Sequence, residues 1–392
     1  MGKILAVTGN QAVAEAMRQI NPDVCAAYPI TPSTEIMQRF SSFVADGVVD
    51  TELVTVESEH SAMSACIGAS AAGGRVMTTT SSQGFALMWE MLHIASGLRL
   101  PIVLPLVNRA LSAPINIHGD HSDGMGARDC GWIQLYSENA QEAYDNVFQA
   151  VRIAEHGDIR LPALVAMDGF IISHSIESME FLPDDVVQKF IGEFKPNYPL
   201  LDIDNPVTYG PLVLQDYFME IKRGQHEAMS RVKDIVLQVA KEFEEISGRS
   251  YGLFDAYRLD DADIALVILN SAAGTAKDAV DVFRDKGIKA GLLKPRLFRP
   301  FPYEEVAAAL KNAKVIGVLD RADSLGGFGP MYMEVASAMM AHGSRPLMIN
   351  KIYGLGGRDF MPAHVEAVLD ELKEIAASGT VKVLKEYIEV RN

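Results

Sequence analysis

Ala27-Tyr28-Pro29-Ile30-Thr31-Pro32-Ser33-Thr34-Glu35 reads as a strand that empties into a stiff polar loop. Cys25 to Tyr28 is an apolar run suited to a buried strand, and Pro29 and Pro32 restrict its exit. A residue before proline is pushed out of helical space, so Tyr28 and Thr31 are expected to be extended. A loop so restrained holds the Thr31 hydroxyl in one place, as a site for a small substrate requires. The same residues can open a helix, with Ser33 or Thr34 as N-cap before Glu35-Ile36-Met37-Gln38. Both readings can hold together, one residue capping while Thr31 faces a cleft.

Around this loop, residues 1–182 alternate between strand-like and helix-like segments. Strands are expected at Cys25–Tyr28, Leu53–Val56, Arg75–Thr79, Ile102–Val107, Trp132–Tyr136 and Ala163–Met167. Helices are expected at Gln11–Ile20, Ser33–Phe43, Ser58–Ala72, Phe85–Ser96 and Ala140–Glu155. Such alternation predicts an α/β fold, a doubly wound parallel sheet with helices on both faces. The pattern changes over 183–255, where Phe194-Lys195-Pro196-Asn197-Tyr198-Pro199 and Asp204-Asn205-Pro206 punctuate an extended connection. A charged helical stretch, Gln215 to Ile246, follows, and the whole reads as a crossover between domains. Alternation resumes at Ala262, so 256–392 forms a second, smaller α/β domain. Its strands are expected at Ile264–Leu269, Ile288–Leu293, Lys314–Leu319 and Leu347–Ile352, with Ser271–Thr275 as a turn. Its helices are expected at Ala276–Lys286, Tyr303–Leu310, Met331–Ala341 and His364–Ile375.

At 392 residues the chain is long enough for two domains with ample cores. A formal net charge of −16 argues against a nucleic-acid partner and against an anionic membrane surface. Cys25, Cys66 and Cys130 lack CxxC spacing and lie in apolar or tight segments, so reduced, buried thiols are expected. Neither an iron–sulfur cluster nor a structural zinc can be built from these three alone. Ile4-Leu5-Ala6-Val7 is too short for a signal peptide and no 18-residue apolar run occurs, so a soluble cytoplasmic protein is expected.

In open α/β sheets ligands bind beyond the carboxyl ends of the strands. The first four expected strands are followed by Pro29-Ile30-Thr31-Pro32, Glu57-Ser58-Glu59-His60, Thr80-Ser81-Ser82-Gln83-Gly84 and Asn108-Arg109-Ala110. Successive exits thus deliver a hydroxyl, carboxylates, a Ser-Ser-Gln-Gly turn and a guanidinium. Glu57 and Glu59 open a helix of very small residues, where acidic groups also simply favour the positive helix end. Buried there, a carboxylate can instead hydrogen-bond a ring nitrogen. Arg109 ends an apolar run and suits a two-pronged bond to a carboxylate or a structural ion pair. His118-Gly119-Asp120-His121-Ser122-Asp123 has metal-ligand residue types, but the glycines beside it favour a polar loop with turn-type hydrogen bonds. Leu325-Gly326-Gly327-Phe328-Gly329 and Tyr353-Gly354-Leu355-Gly356-Gly357-Arg358-Asp359 are neither GxGxxG after a strand nor a Walker loop, and read as turns near an interface.

Taken together and in order, Tyr28–Ser33, Ser58-Glu59, Thr79–Gly84 and Asn108-Arg109-Ala110 through Gly119–Asp123 resemble the α subunit of the pyruvate:ferredoxin oxidoreductases, and Tyr353–Asp359 is similar too. That family oxidatively decarboxylates 2-oxoacids with thiamine diphosphate, coenzyme A and ferredoxin. The resemblance implies a pyrimidine-type thiamine diphosphate-binding domain followed by a transketolase C-terminal-like domain. It implies that Glu59 bonds N1′ of the aminopyrimidine, with Glu57 as second choice, and that Pro29 and Ser82 contact the cofactor. Thr31 and Arg109 would contact the substrate, Arg109 at its carboxylate. The chain departs from the family's relatives in having no Gly-Asp-Gly followed about thirty residues later by Asn to hold Mg²⁺ and the diphosphate, and no cysteine-rich ferredoxin-like segment. It therefore reads as one subunit of a divided enzyme. Mg²⁺ with the diphosphate site, 4Fe–4S clusters and a gamma-type subunit are expected on other chains. The same architecture acting on 2-oxoisovalerate or 2-oxoglutarate, and a non-catalytic assembly subunit, are the alternatives.

Overall fold

A computed structural model describes residues 2–391 of the protein. Chain order begins β1 (Lys3–Thr8), α1 (Gly9–Ile20), β2 (Val24–Ala27), α2 (Thr34–Ala45), β3 (Glu52–Thr55), α3 (Glu59–Ala72), β4 (Val76–Met77), α4 (Ser82–Leu87), α5 (Trp89–Gly97) and β5 (Val103–Asn108). It continues α6 (Ser122–Gly126), β6 (Ile133–Tyr136), α7 (Ala140–Ala154), β7 (Ala163–Asp168), β8 (Ile176–Phe181), α8 (Asp184–Ile191) and α9 (Phe218–Ser247). The second stretch holds β9 (Phe254–Tyr257), β10 (Ile264–Ile268), α10 (Ala272–Asp285), β11 (Ala290–Pro295), β12 (Leu297–Arg299) and α11 (Tyr303–Leu310). Then come β13 (Val315–Asp320), α12 (Pro330–Ala341), β14 (Leu347–Ile352), α13 (Pro362–Ser378) and β15 (Lys385–Tyr387).

Two large sheets result. The first has the order β12-β6-β7-β5-β4-β2-β3 and is parallel except for β12; the second has the order β15-β14-β13-β10-β11-β9 and is parallel except for β9. Strands such as Val-Leu-Pro-Leu-Val-Asn (β5) and Ala-Leu-Val-Ala-Met-Asp (β7) are buried at every residue, as central parallel strands covered on both faces must be. One apolar core joins the first sheet to α1, α2, α7, α8 and α9. A second runs from the sheet's other face, under α3 to α5, to the second sheet and the helices α11 and α12. A third lies under α10 and α13.

Several expectations need correction. Ile4–Val7 belongs to β1, which pairs antiparallel with β8 as a separate two-stranded ribbon. The expected helix Phe85–Ser96 is two helices broken at Met88, and the expected turn at Ser271–Thr275 is already the start of α10. α9 does more than cross between domains. Ala228, Val232, Val236, Val239 and Phe243 recur at helical spacing and are buried in the first sheet's core. β12, expected within the second domain, returns to the edge of the first sheet beside β6, and a boundary at 255/256 would cut β9. Arg296, at the turn into β12, is itself buried, held by Asn146, Gln149 and the Gly252 carbonyl. The three cysteines are free and buried. Among the described residues no helix is long and apolar enough to cross a membrane.

Candidate active site

Sheet order decides whether the polar strand exits meet. β5, β4, β2 and β3 are consecutive neighbours, so the exits carrying Arg109, the Ser-Ser-Gln-Gly turn, Thr31 and Glu59 stand side by side along one edge. After β2, Thr31 to Ser33 form a turn in which the Ser33 N–H donates to the Ile30 carbonyl at 2.9 Å. The Ser33 hydroxyl donates to the same carbonyl, so Ser33 precedes α2 without capping it through its side chain. The turn is pinned from below, where Asn10 Nδ2 donates to the Pro32 carbonyl at 2.9 Å. Pro29 and Thr31 are exposed.

Ser58 caps α3 by accepting the Ser61 N–H at 3.2 Å, which leaves Glu59 as the first helical residue. Glu59 is 6 % exposed and has no hydrogen-bond partner among the described residues. Its environment was prepared by a missing side chain. A Cβ at Gly84 would stand 2.5 Å from both Glu59 Oε1 and Thr80 Oγ1, so only glycine leaves room there. The hydroxyls of Thr80 and Ser81 are likewise buried without partners. Glu57 is different: it is exposed, it accepts the Ser61 hydroxyl at 2.5 Å, and that bond holds its carboxyl below the usual range.

Arg109 is 6 % exposed and forms no ion pair among the described residues. Its Nε donates to the Asn116 carbonyl at 2.8 Å and its Nη1 to the Thr31 carbonyl at 2.9 Å, so it bridges the exits of β5 and β2. Nη2 has no partner among the described residues. Burial pulls the guanidinium below its ordinary value, only partly offset by Asp123. Ser82 adopts a left-handed backbone (φ 47°), and its hydroxyl donates into the protein, to the Ala110 carbonyl.

Behind these exits lies a polar junction that the sequence did not reveal. Asp168, the last residue of β7, accepts from the Ser271 N–H at 3.1 Å and from its hydroxyl, pairs with His121 Nε2 at 2.8 Å, and faces Arg321 Nη1 at 3.3 Å. Burial pushes the Asp168 carboxyl up, but Arg321, His121 and Ser271 outweigh it and hold the group well below the carboxylate range. The loop His118–Asp123 holds a turn-type bond, in which Asp120 accepts from the Ser122 N–H at 3.0 Å, whereas Asp123 accepts from four N–H groups, three of them on Ser82, Asn108 and Arg109 outside the loop. Gly354–Gly357 packs on it, as the expected interface turn. Asn116 Nδ2 donates to the Gly356 carbonyl and the Gly356 N–H to Asp120 Oδ2, both at 3.0 Å. The carboxyl ends of both sheets therefore face each other across this junction.

Residues 15–241 match the family model for pyruvate flavodoxin/ferredoxin oxidoreductase, thiamine diphosphate-binding, and residues 262–365 match pyruvate:ferredoxin oxidoreductase core domain II. Pyruvate synthase subunit PorA of Thermotoga maritima is 56 % identical over 367 residues, 94 % of each chain. The subunit of the same name from Methanocaldococcus jannaschii is 46 % identical over 98 % of this chain and 99 % of its own. Ketoisovalerate oxidoreductase subunit VorA of Pyrococcus abyssi is 43 % identical over 95 % of this chain and 94 % of its own. Among solved structures, 2-oxoglutarate:ferredoxin oxidoreductase from Magnetococcus marinus, with 2-oxoglutarate, coenzyme A and succinyl-CoA bound, superposes with a TM-score of 0.75 at 20 % identity, over 95 % of this chain and 65 % of that one. A split gene transketolase, an inactive beta4 tetramer, superposes with a TM-score of 0.56 at 12 % identity, over 95 % of this chain and all of that one. Both likenesses concern the fold.

Proposed function

The chain belongs to the pyruvate flavodoxin/ferredoxin oxidoreductase family, and on that premise we propose that it is the α-type subunit of a cytoplasmic pyruvate synthase. The reaction joins pyruvate and coenzyme A into acetyl-CoA and CO₂ and passes the released electron pair to ferredoxin. The observation that carries this reading is the row of adjacent strand exits holding a buried carboxylate and a guanidinium nitrogen with no partners of their own.

The residues fit thiamine diphosphate at its aminopyrimidine end, because Glu59, Thr80 and Ser81 are buried polar groups without partners among the described residues, and Gly84 gives Glu59 and Thr80 the room to stand there. That cofactor, when bound, supplies the nucleophilic carbon and electron sink that decarboxylation of a 2-oxoacid needs. Glu59 would hydrogen-bond N1′ of the ring, in a site where burial strengthens such a bond. Pro29 would wall the cofactor on the exposed side of the loop, and Ser82, whose hydroxyl and N–H are both taken within the chain, would offer it only van der Waals contact. Arg109 offers Nη2 to the substrate carboxylate, its other nitrogens being fixed by Thr31 and Asn116. The Thr31 hydroxyl orients the same substrate.

The sequence has no Gly-Asp-Gly…Asn motif, so Mg²⁺ and the diphosphate are held by a partner subunit, with the 4Fe–4S clusters on a ferredoxin-like subunit and a gamma-type subunit completing the enzyme. Exposed Leu201, Ile203, Leu212, Tyr217 and Met219 along the connection into α9 support burial against such chains. The ketoisovalerate relative supports a second reading, in which a branched-chain 2-oxoacid is the substrate. Kinetics of the assembled enzyme with pyruvate, 2-oxoisovalerate and 2-oxoglutarate decide between them. Pyruvate is expected to give the highest kcat/KM, and a preference for either other acid would overturn that assignment.

A further inference from the structure

Regular pairing runs out just before the candidate site. β4 is two residues long and meets β5 at Met77–Val103, with one isolated bridge from Thr80 to Leu106 beyond it. β5 itself stops pairing with β7 at Asn108. Past these points no ladder bond joins the Ser-Ser-Gln-Gly turn to Arg109, yet both must keep one geometry for a substrate to be bound between neighbouring exits. Besides the Ser82 hydroxyl, which bonds the Ala110 carbonyl, one carboxylate ties the two exits together. Asp123 Oδ2 accepts the backbone N–H of Ser82 and that of Arg109, each at 2.9 Å. Oδ1 accepts Asn108 Nδ2 at 2.9 Å and the Gly124 N–H at 2.7 Å. Asp123 is 3 % exposed, these four donors are its hydrogen-bond partners among the described residues, and Ser82 has a left-handed backbone where it offers its N–H.

We infer that Asp123 is a positioning residue for 2-oxoacid recognition, locking the β4 exit and Arg109 into one rigid unit so that the guanidinium meets the substrate carboxylate at a fixed place. The inference rests on the substrate role given to Arg109. It goes beyond that role by naming a group that touches neither substrate nor cofactor. Charge-assisted bonds to two backbone N–H groups are strong enough to hold a loop that no strand supports, and a misplacement of about 1 Å can cost on the order of a hundredfold.

The test uses the assembled holoenzyme with pyruvate as probe and separates KM from kcat. In Asp123→Asn, an amide nitrogen meets N–H donors on one side, and KM for pyruvate is expected to rise about tenfold or more. Exchange of the cofactor C2 proton without substrate, which reports Glu59, should stay at the wild-type rate. Because Asp123 acts through Arg109, adding Asp123→Asn to Arg109→Lys should cost little beyond Arg109→Lys alone. A wild-type KM in Asp123→Asn, additive losses in the double variant, or a parallel fall in C2 exchange and melting temperature would overturn the inference. An unchanged kcat/KM in Arg109→Lys would instead overturn the substrate role of Arg109, and this inference with it. Should Asp123→Asn fail to assemble, Asn108→Ala removes one donor to the same carboxylate. A several-fold rise in KM with unchanged C2 exchange is then expected, and a wild-type KM would overturn the inference.

Discussion

Two polar clusters sit at the carboxyl edge of the first sheet, and they differ in how far they are satisfied. At the junction with the second sheet, Asp168 is fully buried and surrounded by His121, Arg321 and Ser271. Along the exits of β2 to β5, Glu59 is also buried and has no hydrogen-bond partner among the described residues, and the hydroxyls of Thr80 and Ser81 lack partners there too. A buried polar group without a partner costs about 1–3 kcal/mol, more if charged. A carboxylate as fully paired as Asp168 serves the fold, and one left unpaired like Glu59 is kept for something that arrives from outside. The loop 109–123 belongs to both, since Arg109 reaches Thr31 while His121 reaches Asp168.

The sharpest way to break this contrast is Glu59→Gln. The amide cannot serve the ring nitrogen as a carboxylate does, so C2 proton exchange in the assembled enzyme is expected to fall by roughly 10²–10⁴-fold. Because Glu59 bonds nothing within the chain, the melting temperature should hardly move. An exchange rate equal to wild type would take the role from Glu59.

Asp168→Asn should show the opposite pattern. It leaves Arg321 buried beside a neutral amide, and breaking a buried pair costs about 3–5 kcal/mol. Denaturant unfolding should detect that loss, while C2 exchange in the protein that remains folded should persist. The wild-type carboxyl is held below its unfolded value, so its contribution is complete above about pH 4 and is lost as pH falls further, through the folded value. Acid titration of the variant should lack that component, and identical acid midpoints would contradict the pairing.

Arg109→Lys should cost less. Lysine keeps the charge but loses the planar fork that holds Asn116 and Thr31 while presenting Nη2. One charged hydrogen bond is worth about 1.5–3 kcal/mol, so kcat/KM for pyruvate should drop roughly ten- to a hundredfold with cofactor binding intact. A lower melting temperature with unchanged kcat/KM would make Arg109 a structural cross-link only. The smallest effect belongs to Glu57→Gln. That carboxylate is exposed and already bonded to Ser61, so stability should change by less than about 0.5 kcal/mol and C2 exchange not measurably. A large loss of exchange there would move the ring-nitrogen role from Glu59 to Glu57.

The polar exits were legible because each is coded locally: an apolar run, then a short stretch of proline, hydroxyl or charge. That Glu59 rather than Glu57 is the buried one was not, since the choice depends on where Ser58 caps α3 and on the space at Gly84. Asp168 escaped notice because its partners His121 and Ser271 lie 47 and 103 residues away, and nothing local in the segments that hold them points to it. Asp123 was quoted within a polar loop, yet nothing local says that its donors come from two different strand exits. β1 and β8 are as long as β5 and β7 but far more exposed, so neither carries the buried apolar signature of the central strands. β12 is three residues long and finds its sheet only through tertiary pairing with β6.

The central claim is that this chain holds only the aminopyrimidine side of a shared thiamine diphosphate site. Calorimetric titration of thiamine diphosphate with Mg²⁺, into the purified chain shown to be folded by circular dichroism and into the complex with its partner subunits, tests that claim most directly. Tight, Mg²⁺-dependent binding is predicted for the complex and not for the chain alone. Tight Mg²⁺-dependent binding to the folded chain by itself would contradict it.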